Sequence, residues 1–144
     1  MNAGPVVVGV DGGPDSIQAL RWAAGYAETT GSPLIALAVY GIPVVYGPYA
    51  MAGWEDTTEL EKATRARLAE TVEQTLGDQA FVELRVHQGH PAEILVQMSD
   101  EASLVVVGSR GRGGFAGMLL GSVSQHVIAH ARCPVVVLPR HEHA

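Results

Sequence analysis

Five short apolar runs, rich in valine, leucine and isoleucine, recur along the chain and are separated by segments of helical periodicity. Four of the runs are apolar almost throughout, which is typical of parallel strands buried on both faces. The third run alternates polar and apolar residues, which indicates a strand at a sheet edge. The predicted strands are Val6–Val10, Leu34–Val39, Phe81–His87, Leu104–Val107 and Pro134–Leu138.

Between the strands, apolar residues spaced three and four apart predict four helices. The first begins between Pro14 and Ser16, the second covers Thr57–Leu76, the third starts near Pro91 and the fourth at Ser122. The charged residues of the second helix are interpreted as a solvated face, and its predicted buried residues are Leu60, Ala63, Leu68, Val72 and Leu76. This alternation predicts an α/β fold with a parallel sheet and helices on both faces.

Length and composition are those of a compact α/β domain. The 144 residues, 47% of them hydrophobic, suffice for one domain spanning residues 1–144. The formal net charge of −6 argues against nucleic acid as a partner, because that binding needs a basic face. No apolar run approaches the ~18 residues of a membrane span, and the first residues predict no secretion signal. The single cysteine rules out an internal disulfide and favours a cytoplasmic location.

The segment after the fourth predicted strand is the best candidate for ligand chemistry. Glycines recur from Gly108 to Gly121, with Arg110 and Arg112 among them. Glycines let backbone N–H groups approach an anion, and the helix that starts at Ser122 adds further N–H groups and a positive dipole end. The alternative is a glycine-rich connection that binds nothing. The segment is not a Walker motif, because no lysine follows these glycines.

The glycine spacing resembles the nucleotide-binding signature of the universal stress protein family, G-x2-G-x9-G-(S/T). The residues at its defined positions are Gly108, Gly111, Gly121 and Ser122. Val6–Asp11 resembles the family's first strand with its aspartate, and Cys133–Pro139 resembles its last strand, so the resemblance covers nearly the whole chain. It implies a single doubly wound, Rossmann-like sheet of five parallel strands in the order 3-2-1-4-5, with ATP as the ligand.

In that order the first and fourth strands are neighbours, and doubly wound sheets bind ligands where such strands end. The resemblance implies that Asp11 contacts the ribose and that backbone groups of Val39 bind the adenine edge. It also implies that phosphates are held by the loop and the start of the last helix, with any Mg²⁺ held mainly by phosphates and water. The phosphate-site residues are Gly108, Arg110, Gly111, Arg112, Gly121, Ser122, Val123 and Ser124.

Each assignment has a plainer alternative. Asp11 could be a turn residue that caps the following helix. Val39 could act only as a core side chain, and Ser124 could be an ordinary polar residue in a helix's first turn. Exposed loop arginines are common, so Arg110 and Arg112 could have no ligand.

The candidate residues favour a binding protein over an enzyme. Phosphoryl transfer requires a positioned metal and a group that orients the nucleophile, and Asp11 is the one candidate base. We therefore predict no catalytic residues. Together with the ligand that the resemblance implies, this predicts an ATP-binding stress-response protein that senses or regulates, with at most slow hydrolysis. The alternatives are a nucleotide phosphohydrolase or phosphotransferase, and an interaction module without nucleotide. No metal ligands are assigned, because His126 and His130 lack an evident third ligand.

Two further segments carry predictions. The apolar strand 134–138 would lie at a sheet edge, where it invites pairing with another chain, and the resemblance also implies a homodimer through it. Residues 41–56 mix glycine, proline and aromatic residues and are predicted to form a long loop. This loop is either a flap over the ligand or a surface segment that contacts solvent or a partner.

Overall fold

Five strands and four helices alternate along the chain, and the ends of the predicted strands shift by at most one residue. The computed structural model describes residues 4–41, 57–78, 81–110 and 120–139, so the predicted loop lies outside the described residues from position 42 onward. None of the described helices combines the length and the hydropathy that crossing a membrane requires. The elements are β1 (Val6–Gly9), α1 (Pro14–Thr30), β2 (Leu34–Tyr40), α2 (Thr58–Leu76), β3 (Val82–Gln88), α3 (Pro91–Met98), β4 (Leu104–Gly108), α4 (Ser122–His130) and β5 (Val135–Leu138).

The strands form one parallel sheet in the order β3-β2-β1-β4-β5, which confirms the expected doubly wound topology. Helices α1 and α2 cover one face of the sheet, and α3 and α4 cover the other. The chain therefore changes face between the two neighbouring strands β1 and β4. At such a switch point the connections after the strands diverge, which leaves a crevice at the carboxyl edge of the sheet.

Alternation of side chains along each strand divides the core into two layers. Val6 and Val8 of β1 pack with residues of α1 and α2, whereas Val7 packs with residues of α3 and α4. The same alternation holds in β4, where Leu104 through Val107 are buried. Burial on both faces explains why the central strands are apolar throughout rather than alternating.

The buried stripe of α2 differs by one residue from the prediction. Ala63 is exposed, and Thr64 is buried instead. The Thr64 hydroxyl donates a hydrogen bond to the Leu60 carbonyl at 2.8 Å, so its burial leaves no polar atom unpaired. Leu60, Thr64, Leu68 and Val72 lie at four-residue intervals along one line of the helix. The prediction for Ala63 is wrong because a threonine with a satisfied hydroxyl can occupy an apolar stripe.

The first turn of α1 packs directly against the end of β4. A Cβ atom on Gly108 would lie 2.7 Å from the Asp15 Cβ and 2.9 Å from the Asp15 carbonyl carbon and oxygen. Side chains do not tolerate such distances in a close-packed interior. Gly108 is therefore required by packing, and its lack of a side chain brings the start of α1 beside the end of β4.

The two edges of the sheet, β3 and β5, differ in character. On β3, the exposed side chains of Glu83 and Arg85 form an ion pair, and charges on an edge strand discourage pairing with another chain. The four residues of β5 are all apolar and all half-buried. The β5 edge therefore lacks the protection that β3 has.

Candidate functional site

The carboxyl ends of β1, β2 and β4 open into one cavity with a volume of about 840 Å³. A cavity of this size at the switch point of a doubly wound sheet is a typical small-molecule site. The predicted site residues on its wall are Asp11, Val39, Gly108, Arg110, Val123 and Ser124. Gly121 and Ser122 lie at the start of α4, whereas Gly111 and Arg112 lie outside the described residues.

The Asp11 side chain closes the turn between β1 and α1. Its Oδ1 accepts a hydrogen bond from the Gly13 N–H at 2.8 Å, and the intervening Gly12 has a left-handed φ of 85° that favours glycine. The N-cap of α1 is Gly13, which has no side chain to cap the helix. Asp11 therefore stabilises the turn without being the cap. Its exposed carboxylate borders the cavity, where it can accept hydrogen bonds from ligand hydroxyl groups.

Ser16 supports this turn from inside, and sequence reasoning did not identify it. Its hydroxyl oxygen accepts a hydrogen bond from the Asp11 N–H at 3.2 Å and donates one to the Gly13 carbonyl at 3.1 Å. Ser16 is 6% exposed and lines the cavity. The sequence feature that could have identified Ser16 is its position three residues after Gly13, the glycine at which the helix starts.

Val39 presents backbone groups at the open end of β2. The Val10 N–H donates to the Leu37 carbonyl at 2.8 Å, so the backbone groups of Leu37 face β1. Backbone N–H and C=O groups alternate in direction from one residue to the next along a strand. Val39 lies two residues after Leu37, so its backbone groups also face β1. The last residue of β1 paired with β2 is Gly9, and no described β1 residue bonds to the Val39 backbone. The Val39 side chain packs on the α3–α4 layer, so Val39 combines a core side chain with backbone groups that have no β1 partner in the described part of the chain.

The Ser109 carbonyl links the end of β4 to the start of α4. This oxygen accepts hydrogen bonds from the Gly121 N–H at 2.6 Å and from the Ser124 hydroxyl at 2.9 Å. The Gly121 N–H, which was expected to contact phosphate, therefore already has an acceptor within the chain. No side chain among the described residues caps α4, so the N–H groups of Ser122 and Val123 best suit an anion there.

One wall of the cavity comes from α2, and it includes Arg67 and Glu70, which the sequence interpretation places on the solvated face. The residues of this wall are Leu60, Thr64, Arg67, Leu68, Glu70, Thr71 and Gln74. Arg67 adds a cation to this wall, and Arg110 adds another at the end of β4. Periodicity identifies the side of a helix that meets the core, but it does not identify which exposed flank borders a cavity.

The histidine pair His126 and His130 and the thiol of Cys133 lie outside the residues that line the cavity. Among the described residues, no three His, Cys, Asp or Glu side chains are placed to hold a metal ion. The His126 and His130 ring centroids lie 4.5 Å apart, but this pair has no third protein ligand in the described chain. Burial raises the pKa of the Cys133 thiol, and a backbone hydrogen bond with Val105 only partly offsets this. A raised pKa disfavours the nucleophilic thiolate at neutral pH.

The fold and the cavity define a class: doubly wound α/β proteins with a ligand crevice at the switch point. Comparison with known families narrows this class. The family model described as the universal stress protein family matches residues 3–139. The chain belongs to the universal stress protein family.

Individual relatives agree with this assignment. A universal stress protein of Mycolicibacterium smegmatis is 43% identical over 136 residues, which cover 93% of this chain and 45% of that protein. The chain thus spans about half the length of the curated relatives it matches. A universal stress protein of Archaeoglobus fulgidus in complex with dAMP has a TM-score of 0.63 and 26% identity, covering 95% of this chain and 98% of the other. A universal stress protein in complex with cAMP has a TM-score of 0.59 and 27% identity, covering 96% and 98%.

Proposed function

We propose that this chain is an ATP-binding stress-response protein that holds the nucleotide in the switch-point cavity and senses or regulates through it. The observation that carries the proposal is the convergence of three different groups on one cavity. These are the Asp11 carboxylate, the open backbone edge at Val39 and the wall formed by Val123 and Ser124 at the start of α4. Two related proteins with nucleotides bound support a nucleotide as the ligand.

Each part of the ligand has a matching group. The Val39 N–H and C=O suit the hydrogen-bonding edge of adenine, and the Asp11 carboxylate suits ribose hydroxyls. The N–H groups of Ser122 and Val123 suit phosphate oxygens, with Arg110 as a neutralising cation and Gly108, Gly111, Arg112 and Gly121 as the remaining loop positions. Any Mg²⁺ would be held mainly by the phosphates and water, because no carboxylate cluster lies among the described residues.

A binding role fits the described residues better than catalysis. Phosphoryl transfer needs a group that orients the attacking nucleophile. Asp11 is the candidate, and the proposed ribose contact competes for its carboxylate. We propose at most slow hydrolysis, and a phosphohydrolase or phosphotransferase and a nucleotide-free interaction module are the alternatives. We also propose one domain over residues 1–144 and a cytoplasmic location, on the single cysteine.

Calorimetric titration with ATP, followed by single-turnover hydrolysis of the bound nucleotide, tests this function. Before titration, mass spectrometry of the purified protein identifies any nucleotide that it already carries. We expect saturable ATP binding at one site per chain and no phosphate release on the timescale of minutes. Rapid phosphate release that is lost in Asp11→Asn would favour the enzyme. The absence of binding by any adenine nucleotide would favour the interaction module.

For the partner, we propose a second copy of the chain paired through strand 134–138. The Pro134 carbonyl accepts a hydrogen bond from the Val105 N–H of β4, and the Leu138 carbonyl accepts one from the Ser109 N–H just after β4. The alternate residues Val135 and Val137 therefore direct their backbone groups outward. Two-fold antiparallel pairing of Val135 with Val137 of the partner subunit satisfies the outward N–H and C=O groups of both residues. Shifting the register toward Pro139 would lose donors, because proline has no N–H. The outward groups therefore favour a two-fold axis at Val136.

This register predicts a specific cross-link. In a Cys133→Ser background, Val136→Cys should form a covalent dimer under mild oxidation, because residues on the axis form a closely spaced pair within disulfide range. The matched control is Leu84→Cys, which occupies a half-buried position on the opposite edge strand, β3. Non-reducing electrophoresis and light scattering at micromolar concentration measure the outcome. A monomer without cross-linking of Val136→Cys would contradict the proposed dimer.

A further inference from the structure

Helices α1 and α4, which follow the two strands at the switch point, begin with the same local structure. Each has a buried glycine as its N-cap, with φ and ψ of −80° and 166° at Gly13 and −74° and 169° at Gly121. Three residues later each has a buried serine, Ser16 or Ser124, whose hydroxyl donates to the carbonyl of its own N-cap glycine at 3.1 Å. The same arrangement, an N-cap glycine bonded to a serine three residues later, therefore occurs at both helix starts and is called the serine device below.

The other described helices do not share this device. The corresponding third positions of α2 and α3 are Leu60 and Glu93, which follow the N-caps Thr57 and His90. The device thus occurs at the two described helices that follow β1 and β4, the strands at the switch point, and both serines lie on the cavity wall. Because Ser16 is 6% and Ser124 is 2% exposed, their hydroxyls are held within the protein.

Each serine also bonds to the end of the preceding strand. Ser16 accepts the Asp11 N–H just after β1, and Ser124 shares its one hydroxyl hydrogen between the Gly121 carbonyl and the Ser109 carbonyl just after β4. An ordinary N-cap side chain accepts hydrogen bonds from the first N–H groups of its helix and so consumes them. The serine device works in the opposite sense, because its hydroxyl hydrogen goes to carbonyl groups. It fixes the helix start without using the N–H groups of the first turn.

We infer that Ser16 and Ser124 are positioning residues of the nucleotide site, and that Ser124 acts through α4 and not as a phosphate ligand. This inference rests on the proposed function. Ser16 fixes the turn that presents Asp11, so it governs the ribose end of the site. Ser124 fixes the start of α4 against β4, so it governs where the N–H groups of Ser122 and Val123 lie relative to the phosphates.

The two roles predict different losses across a ligand series measured by calorimetry. Ser124→Ala should weaken ATP binding about tenfold and leave adenosine within about twofold, since adenosine has no phosphate to place. Ser16→Ala should weaken ATP binding about fivefold but leave 2′,3′-dideoxy-ATP within about twofold, since that ligand lacks the ribose hydroxyls.

The matched control is Ser99→Ala. Ser99 is 1% exposed, donates to the Val96 carbonyl at 2.5 Å and accepts the Arg132 N–H at 2.9 Å, away from the cavity wall. Its replacement should lower the melting temperature as the other two variants do, yet leave all three affinities within about twofold. Equal weakening of every ligand by Ser16→Ala or Ser124→Ala would overturn the inference and indicate a merely structural role.

Amide hydrogen exchange of the ligand-free protein separates this inference from the proposed function. The Asp11 N–H should exchange faster in Ser16→Ala, and the Gly121 N–H faster in Ser124→Ala, with neither changed in Ser99→Ala. Unchanged exchange at both amides would overturn the inference even if ATP binds. If the parent protein binds no adenine nucleotide, the proposed function fails, and exchange alone decides whether the serines hold the two helix starts.

Discussion

Replacing Gly108 with alanine should cost about 3 kcal/mol of unfolding free energy, the upper part of the range for an overpacked core site. The added Cβ would lie 2.7 to 2.9 Å from atoms that include the Asp15 carbonyl carbon and oxygen. Backbone atoms cannot move aside by a change of rotamer, so α1 must shift away from β4. Urea denaturation should show a lower midpoint, and the displaced turn should also weaken ATP binding.

Gly25→Ala is the matched control for this substitution. Gly25 lies inside α1, and a Cβ there meets no atom within 4 Å. Alanine at an exposed helical position should raise the unfolding free energy by about 0.5 to 1 kcal/mol relative to glycine. Opposite signs for the two glycine-to-alanine changes would support the α1–β4 contact. A Gly108→Ala variant as stable as the parent would contradict it.

Asp11→Ala should weaken ATP binding about a hundredfold, because charge-assisted hydrogen bonds to the ribose and the acceptor for the Gly13 N–H are lost together. The fold should persist, because Asp11 is exposed and its bond to the Gly13 N–H lies in the turn and not in the core. Calorimetric titration measures the affinity, and circular dichroism with urea denaturation measures the stability. Asp11→Asn should give an intermediate loss, because the amide keeps an oxygen acceptor without the charge.

Asp100→Asn provides the control for charge. Asp100 is exposed beyond the end of α3, where it pairs with Arg132 at 3.3 Å, outside the residues that line the cavity. Removing this charge changes the net charge as Asp11→Asn does, yet ATP affinity should stay within about twofold because exposed ion pairs contribute little. Comparable losses in both variants would indicate a general electrostatic effect and no ribose contact.

Much of the architecture follows from the sequence. Unbroken apolar runs such as Leu104–Val107 predicted central parallel strands, and the alternation in Phe81–His87 predicted the edge position of β3. The strand order came from the family resemblance, because periodicity carries no information about which strands are neighbours. The glycine spacing and Asp11 predicted a site at this edge of the sheet, and Asp11 and Gly108, the first glycine of the spacing, line the switch-point cavity.

The roles of individual residues depended on the tertiary structure. Thr64 is buried where the hydrophobic pattern predicts Ala63, because a hydroxyl that bonds to its own helix can be buried. Hydrophobicity alone does not predict this. The glycine spacing assigns Gly108 to ligand binding, yet packing against Asp15 alone requires a glycine at this position. The Gly121 N–H was assigned to phosphate, and it has the Ser109 carbonyl as an acceptor.

By itself the sequence determined the class of fold and the edge position of β3, because these depend on short-range patterns of burial, and its glycine spacing predicted the region of the candidate site. Only the tertiary structure decided that Val39 has no β1 partner among the described residues and that Ser16 and Ser124 bond to the N-cap glycines of α1 and α4. It also decided that α2 forms one wall of the cavity. The physical reason is that these features arise where segments far apart in sequence meet, and local periodicity does not encode the distances between them.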